Sequence, residues 1–206
     1  GGDDGLYEDR KFQQNIQGAL ANGIQVGVYF YSGASNAREA YDEASYCISL
    51  IRDYQITYPV AFDWELDGDY DSVTEACETF CNVISSYGYQ PMVYSNRNRW
   101  YNNFDGEKIA SKYKVWMAAY FGKFYYDSVR WTYGDDLPNF RYHYDMWQYS
   151  SRCYVDGISG QVDVDIAFFG YANYHVDTKD AVLTVTNKEI KRTYGDGIGR
   201  LTEELN

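Results

Sequence analysis

Residues 58–68 read YPVAFDWELDG, an apolar run that ends in two carboxylates, Asp63 and Glu65. In a β-strand, residues i and i+2 point to the same face and lie about 6 to 7 Å apart, so the two carboxyl groups are expected to share one cavity. Burying acids at the end of an apolar strand is costly unless they are paired or hydrogen-bonded. The stretch therefore predicts a buried strand that leads into a site. The alternative is a solvated strand end, where acids are common.

Paired carboxyl groups have a specific chemical use. Two close carboxyls titrate as a coupled pair, and the one in the more apolar setting keeps its proton nearer pH 7. A general acid beside a carboxylate that stays ionised meets the requirement for acid-base catalysis. Asp63 and Glu65 are therefore candidate catalytic residues.

Length and composition limit the classes of function. The chain has 206 residues, which favours one domain of about 150 to 200 residues with an appendage. Its net charge is −12 and its 18 Lys and Arg form no basic run, which argues against nucleic acid or an anionic membrane as a partner. No apolar run is long enough to span a membrane. The 24 Tyr and 5 Trp offer flat faces that suit sugar rings, although most are expected in the core.

The cysteines are few for a disulfide scaffold in a chain of this length. The four are Cys47, Cys77, Cys81 and Cys153. They are predicted to be buried free thiols, with a disulfide as the alternative. A zinc site is disfavoured because Cys77 and Cys81 are not spaced as C-x2-C and the histidines are only His143 and His175. No metal is predicted.

The rest of the pattern alternates helices with strands. Helices are predicted over 9–22 and 35–53, and a third from an S-x-x-E capping box, Ser72 and Glu75, to about Gly88. Besides the acidic stretch, strands are predicted over residues 24–31, 91–95, 114–120, 144–149 and 162–169, with a long loop at 121–140. This alternation indicates a parallel α/β architecture with six strands.

In a (β/α)8 barrel the reacting groups lie at the carboxyl ends of the strands. The residues predicted there are Asp63, Glu65, Tyr94, Tyr120 and Gln148. Asp163 and Asp165 fall nearer the start of the last predicted strand. The composition changes after Tyr174, so residues 1–172 are predicted to form the barrel domain. Residues 173–206, with an alternating piece at 181–186, are predicted to be a linker and the beginning or remnant of a second module, or a disordered tail.

Six pieces of the chain, in order and over residues 1 to about 170, resemble the glycoside hydrolase family 25 lysozymes, the Chalaropsis type. The pieces are GGDDGLYEDRKFQQNIQGALANGIQVGVYFYS, YPVAFDWELDG, PMVYSN, KVWMAAY, DMWQYSS and GQVDVDIAFF. The resemblance implies a (β/α)8-like barrel that hydrolyses the β-1,4 bond between N-acetylmuramic acid and N-acetylglucosamine in bacterial peptidoglycan. It implies no cofactor.

The same resemblance implies roles for particular residues. Glu65 matches the general acid, Asp63 matches the carboxylate that assists the substrate's own acetamido group as nucleophile, and Asp163 matches the acid of the last strand. Positions that line the cleft are matched by Tyr31, Tyr94, Trp116 and Gln148. Tyr120, at the end of its predicted strand, is a further candidate for substrate binding.

The chain also departs from the family pattern. Members begin with a strand that carries another active-site aspartate, then a helix and a second strand, whereas this chain begins in the loop after that second strand. We therefore expect an N-terminally incomplete barrel with open edges that allow self-association. The alternative function is a wall-binding module that lacks catalysis because that aspartate is absent. A metal-dependent hydrolase or deacetylase is disfavoured. The expected location is extracellular or associated with the cell wall.

Overall fold

The protein's central element is a six-stranded sheet whose strands lie side by side in chain order. A computed structural model describes residues 5–67, 72–127, 130–132 and 134–169. The strands are β1 (Val28–Ser32), β2 (Val60–Trp64), β3 (Pro91–Asn96), β4 (Lys114–Ala118), β5 (Met146–Cys153) and β6 (Val162–Ala167). Strands β1 to β5 pair in parallel, and β6 pairs antiparallel with β5.

Six helices accompany these strands in the described residues. They are α1 (Phe12–Ala21), α2 (Ala37–Ile51), α3 (Val73–Ser86), α4 (Arg97–Asn102), α5 (Gly106–Ala110) and α6 (Gly122–Tyr126). Helix α2 begins where the Asn36 side chain accepts hydrogen bonds from the backbone N–H groups of Arg38 and Glu39. The predicted capping box of α3 is wrong, because Ser72 lacks the extended backbone of a capping residue and its side chain makes no capping bond.

The sequence prediction of an all-parallel sheet is wrong for the last strand. Only residues 154–161 separate β5 from β6. A parallel neighbour needs a crossover of a dozen or more residues, so this short connection returns the chain as an antiparallel pair. The polar connection after β3 and the predicted loop at 121–140 also contain short helices, α4, α5 and α6.

The outer face of the sheet forms the core with the helices. Phe62 on β2 packs against Phe80 of α3 with ring centroids 5.2 Å apart, and both side chains are fully buried. All four cysteines are buried thiols and none of the four is joined in a disulfide, which confirms the prediction. Because side chains alternate along a strand, the residues between these outward positions point to the inner face.

The sheet curls around its inner face into a half-barrel. The Phe169 ring, just after β6, lies 5.3 Å from the Tyr58 ring, just before β2, and the Lys114 ammonium lies 4.5 Å from the Phe169 ring. The described residues therefore form a curled half-barrel of six strands, the number expected from the sequence, and the full (β/α)8-like architecture to which they would belong stays a prediction. The predicted N-terminal gap stays a prediction, and the predicted module at 173–206 lies outside the described residues. Among those residues, no helix combines the length and apolarity that crossing a membrane requires.

The close pairing at the start of β1 leaves no room for a side chain at Gly27. A Cβ there would lie 2.6 Å from the Pro59 carbonyl oxygen, whereas a Cβ at Gly18 in α1 would meet nothing within 4 Å. We expect Gly27→Ala to lower the free energy of unfolding by about 1 to 3 kcal/mol. Gly18→Ala should raise it by up to about 1 kcal/mol, because alanine favours the helix. Urea unfolding followed by circular dichroism measures both. Equal effects of the two changes would contradict the close approach.

Candidate active site

A row of four side chains crosses the inner face at one level of the sheet. Tyr31 on β1 pairs in register with Asp63 on β2, Asp63 pairs with Tyr94 on β3, and Tyr94 pairs with Trp116 on β4. Residues in register on parallel strands project to the same face, so these four side chains line one concave surface. All four are candidates from the sequence.

Asp63 is the most unusual group of this surface. Its residue is 7% exposed, and its Oδ1 atom is buried without a hydrogen-bond partner. Burial, followed by the negative charge of Glu65, raises the pKa of Asp63 to about 8, although Arg99 lowers it. At neutral pH Asp63 therefore holds a proton.

Glu65 follows β2 directly and is half-buried. Burial raises the pKa of Tyr31, and the charges of Glu65 and Asp63 raise it further. Burial likewise raises the pKa of Tyr94, with contributions from Tyr120 and from the same two carboxyl groups. Both carboxyl groups therefore raise the pKa of both tyrosines, as expected if all four side chains lie on the same side of the sheet.

Gln148 on β5 joins two tyrosines on the inner face. Its Oε1 atom accepts a hydrogen bond of 2.7 Å from the Tyr94 hydroxyl and another from the Tyr120 hydroxyl. The Trp116 ring packs edge-on against Tyr94, with centroids 4.7 Å apart, and its Nε1 donates to Asp165 Oδ1 at 2.7 Å. Strands β3 to β6 and the loop after β4 thus contribute to one connected set of polar and aromatic side chains.

The two acids of β6 differ in environment. Because β6 is antiparallel, its first residues lie at the carboxyl ends of the other strands, which brings Asp163 to the site. Asp163 is exposed, and its charge adds to burial in raising the pKa of Tyr120 to about 12. Asp165 was not among the predicted catalytic residues. Burial raises its pKa to about 7, partly offset by the bond from Trp116.

Arg99 on α4 is a site residue that sequence reasoning missed. Its Nη2 donates to the Glu65 carbonyl oxygen at 2.7 Å and to Asp67 Oδ1 at 2.8 Å, and its Nε donates to the Leu66 carbonyl oxygen at 3.1 Å. The side chain is only 17% exposed. Arg99 therefore holds the backbone that carries Glu65. It lies in a segment rich in Asn and Arg, where no spacing distinguishes it.

A second set of hydrogen bonds holds the carboxyl ends of β1, β2 and β3 in place. The Ser32 hydroxyl donates to the buried Glu43 carboxylate at 2.5 Å, and the Gly33 N–H donates to the same carboxylate at 2.9 Å. The Trp64 Nε1 donates to the Ala34 carbonyl oxygen at 3.2 Å, and the Ser95 hydroxyl donates to the Trp64 carbonyl oxygen at 2.7 Å. These bonds fix the strand ends from which the inner-face residues project.

Comparison with known proteins gives a consistent group of matches. The family model described as glycosyl hydrolases family 25 matches residues 3–158. The autolytic lysozyme of Clostridium acetobutylicum is 26% identical over 164 residues, which cover 77% of this chain and 44% of that protein. The lysozyme of Streptococcus phage Cp-1 is 29% identical over 137 residues, or 62% of this chain and 37% of that protein.

A solved structure matches at the level of the fold. The modular autolysin LytC from Streptococcus pneumoniae has a TM-score of 0.61 and 28% identity, over 77% of this chain and 37% of that one. The chain thus spans less than half the length of each of these three relatives.

The buried proton on Asp63 makes stability depend on pH. Between about pH 4 and about pH 8 the folded protein keeps a proton that the unfolded chain releases, so raising the pH favours unfolding. The variant Asp63→Asn has no carboxyl group at this position that can titrate. The difference between its free energy of unfolding and that of the wild type should therefore increase by up to about 1.4 kcal/mol per pH unit between about pH 4 and about pH 8.

Urea unfolding at several pH values measures this difference. Asp53→Asn, which changes an exposed acid, is the control and should run parallel to wild type. A difference between Asp63→Asn and wild type that stays constant with pH would refute the raised pKa.

Proposed function

The chain belongs to family 25 of the glycosyl hydrolases, and on that basis we propose that it is a muramidase. It would cleave the β-1,4 bond between N-acetylmuramic acid and N-acetylglucosamine in bacterial peptidoglycan. It would act at the cell wall, either outside the cell or associated with the wall. Two relatives carry the name lysozyme, and LytC has been solved with a synthetic peptidoglycan ligand, which supports this substrate class.

One observation carries the proposal: a buried carboxyl group with an unpartnered oxygen, Asp63 Oδ1, stands beside Glu65 in a concave surface lined by aromatic rings. Unpartnered buried polar atoms are uncommon in folded proteins, and a catalytic or ligand-binding role is one of their recognised causes. Aromatic faces bury the apolar face of a sugar ring, and tyrosine hydroxyls and Gln148 offer hydrogen bonds to its hydroxyls.

The proposed reaction retains the configuration at the anomeric carbon. Glu65 donates a proton to the bridging oxygen, while the acetamido oxygen of the substrate attacks the anomeric carbon and the bond to the leaving sugar breaks. Asp63 Oδ1 accepts the acetamido N–H and holds the group in line. Glu65 then takes a proton from water, which attacks the same carbon and opens the ring formed by the acetamido group.

Burial and the charge of Glu65 keep a proton on Asp63 in the resting site, because they raise its pKa to about 8. Asp63 would release that proton when the acetamido N–H of the substrate stabilises it as a carboxylate. Asp163 is assigned to the same site as a third acid. Tyr31, Tyr94 and Trp116 would contact the sugars, together with Tyr120 and Gln148. Self-association through the β1 and β6 edges of the sheet stays a prediction.

Changing Glu65 tests the reaction. Glu65→Gln should lower the release of reducing ends from purified walls by about 10² to 10⁴-fold, because the amide cannot donate the proton. Glu107→Gln, an equivalent change at an exposed position of α5, should keep full activity. Retained release by Glu65→Gln would refute the assignment. Binding of walls by the wild type without any release would instead favour the wall-binding module.

Changing Arg99 tests how Glu65 is positioned. Arg99→Gln removes the charge and at least one of the hydrogen bonds to the turn, so kcat should fall by about 10-fold or more with little change in KM. Arg99→Lys should recover part of the loss. Arg97→Gln, on the exposed side of the same helix, is the matched control. Equal losses for Arg97→Gln and Arg99→Gln would exclude a positioning role specific to Arg99.

A further inference from the structure

Stacked side chains extend the inner face outward from Gln148. Tyr120, whose hydroxyl donates to Gln148, stacks on Tyr125 of α6 with ring centroids 5.1 Å apart and an interplanar angle of 3°. The guanidinium of Arg152 lies 5.2 Å from the Tyr125 ring centroid. Contacts therefore run without a break from the inner face, through two tyrosines, to an arginine near the end of β5.

Arg152 is arranged as a receptor for an anion. The Tyr125 contact fixes its planar group, yet among residues 5–67, 72–127, 130–132 and 134–169 no carboxylate pairs with it and its side chain donates no hydrogen bond. A guanidinium held in this way presents parallel N–H groups that match the two oxygens of a carboxylate. By contrast, the Arg99 guanidinium is occupied by the turn after β2.

The charges around the site restrict where an anionic group can bind. The inner face carries the acids Asp63, Glu65, Asp163 and Asp165, and the whole chain has a net charge of −12. A carboxylate placed among these acids would be repelled. An uncharged sugar over the inner face with a carboxylate at its rim would instead match the sign of charge at both places.

We propose that Arg152, supported by Tyr125, binds a carboxylate carried by a substituent of the sugar that occupies the inner face. The inference rests on the proposed function and adds a determinant of substrate choice to it. Two sources of that carboxylate are chemically equivalent at Arg152. One is the lactyl group of muramic acid when it bears no peptide, and the other is a peptide attached to that group.

Three substrates separate the two sources: peptide-bearing glycan, glycan stripped of peptide, and stripped glycan whose carboxyl groups are methyl-esterified. Arg152→Gln should lower kcat/KM about 10-fold, mainly through KM, wherever the recognised carboxylate is present. Loss on the peptide-bearing glycan alone identifies the peptide. Loss on the stripped glycan alone identifies the lactyl group, because that carboxyl is an amide in the peptide-bearing glycan. Loss on both shows that Arg152 accepts either carboxylate. An equal loss on the esterified glycan, or no loss on any substrate, overturns the proposal.

Two further variants separate charge recognition from packing. Arg152→Lys keeps the charge without the planar fork and should show an intermediate loss. Arg141→Gln removes an arginine that stacks on Tyr101 elsewhere in the protein, and should behave as wild type on all three substrates. Co-sedimentation of the same proteins with the three glycans gives a readout independent of cleavage. If wild type cleaves nothing, the muramidase proposal fails, while weaker binding of Arg152→Gln to the carboxylate-bearing glycans alone would still support the anion site.

Discussion

The burial of the Asp63 carboxyl at the end of an otherwise apolar strand is the constraint on which the site depends. Holding its pKa at about 8 rather than at its ordinary value costs the folded state on the order of 4 kcal/mol at pH 7. The outward-facing neighbours Val60 and Phe62 are fully buried, and side chains of this kind contribute about 1.5 to 3 kcal/mol each. Val60 and Phe62 together thus offset the cost of the neighbouring acid, and one short segment supplies both stability and the candidate catalytic acids.

The same separation of outward apolar side chains from inward polar ones extends across the sheet. The outward side chains of β1 to β5 pack on helices and carry most of the apolar burial, whereas the inward ones form hydrogen bonds and aromatic contacts with one another. Because the helices hold the outer face, the inner face does not need to be filled with aliphatic side chains. It is therefore available for polar groups that a ligand can reach. Glu43 and Arg99 add to this by fixing the loops at the strand ends.

The features that were predictable from the sequence are local ones. The i, i+2 spacing of Asp63 and Glu65, the apolar stripes of α2 and α3 and the burial of the cysteines follow from patterns within 15 residues or so. Arg99 was not predictable, because its hydrogen bonds reach residues 32 to 34 positions earlier in the chain. The capping box also failed, since its motif describes residue types whereas the bond requires a particular backbone conformation at Ser72.

The direction of β6 shows why the composition of the site depends on topology. An alternating strand pattern is the same read in either direction, so VDVDIAFF fixes a strand but not its orientation. Had β6 run parallel to β5, Asp163 would have lain at the amino ends of the strands, far from Glu65. The short connection after β5 excludes that arrangement, because it cannot cross the sheet. The length of a loop that carries none of the candidate catalytic groups therefore decides that the third acid joins the other two.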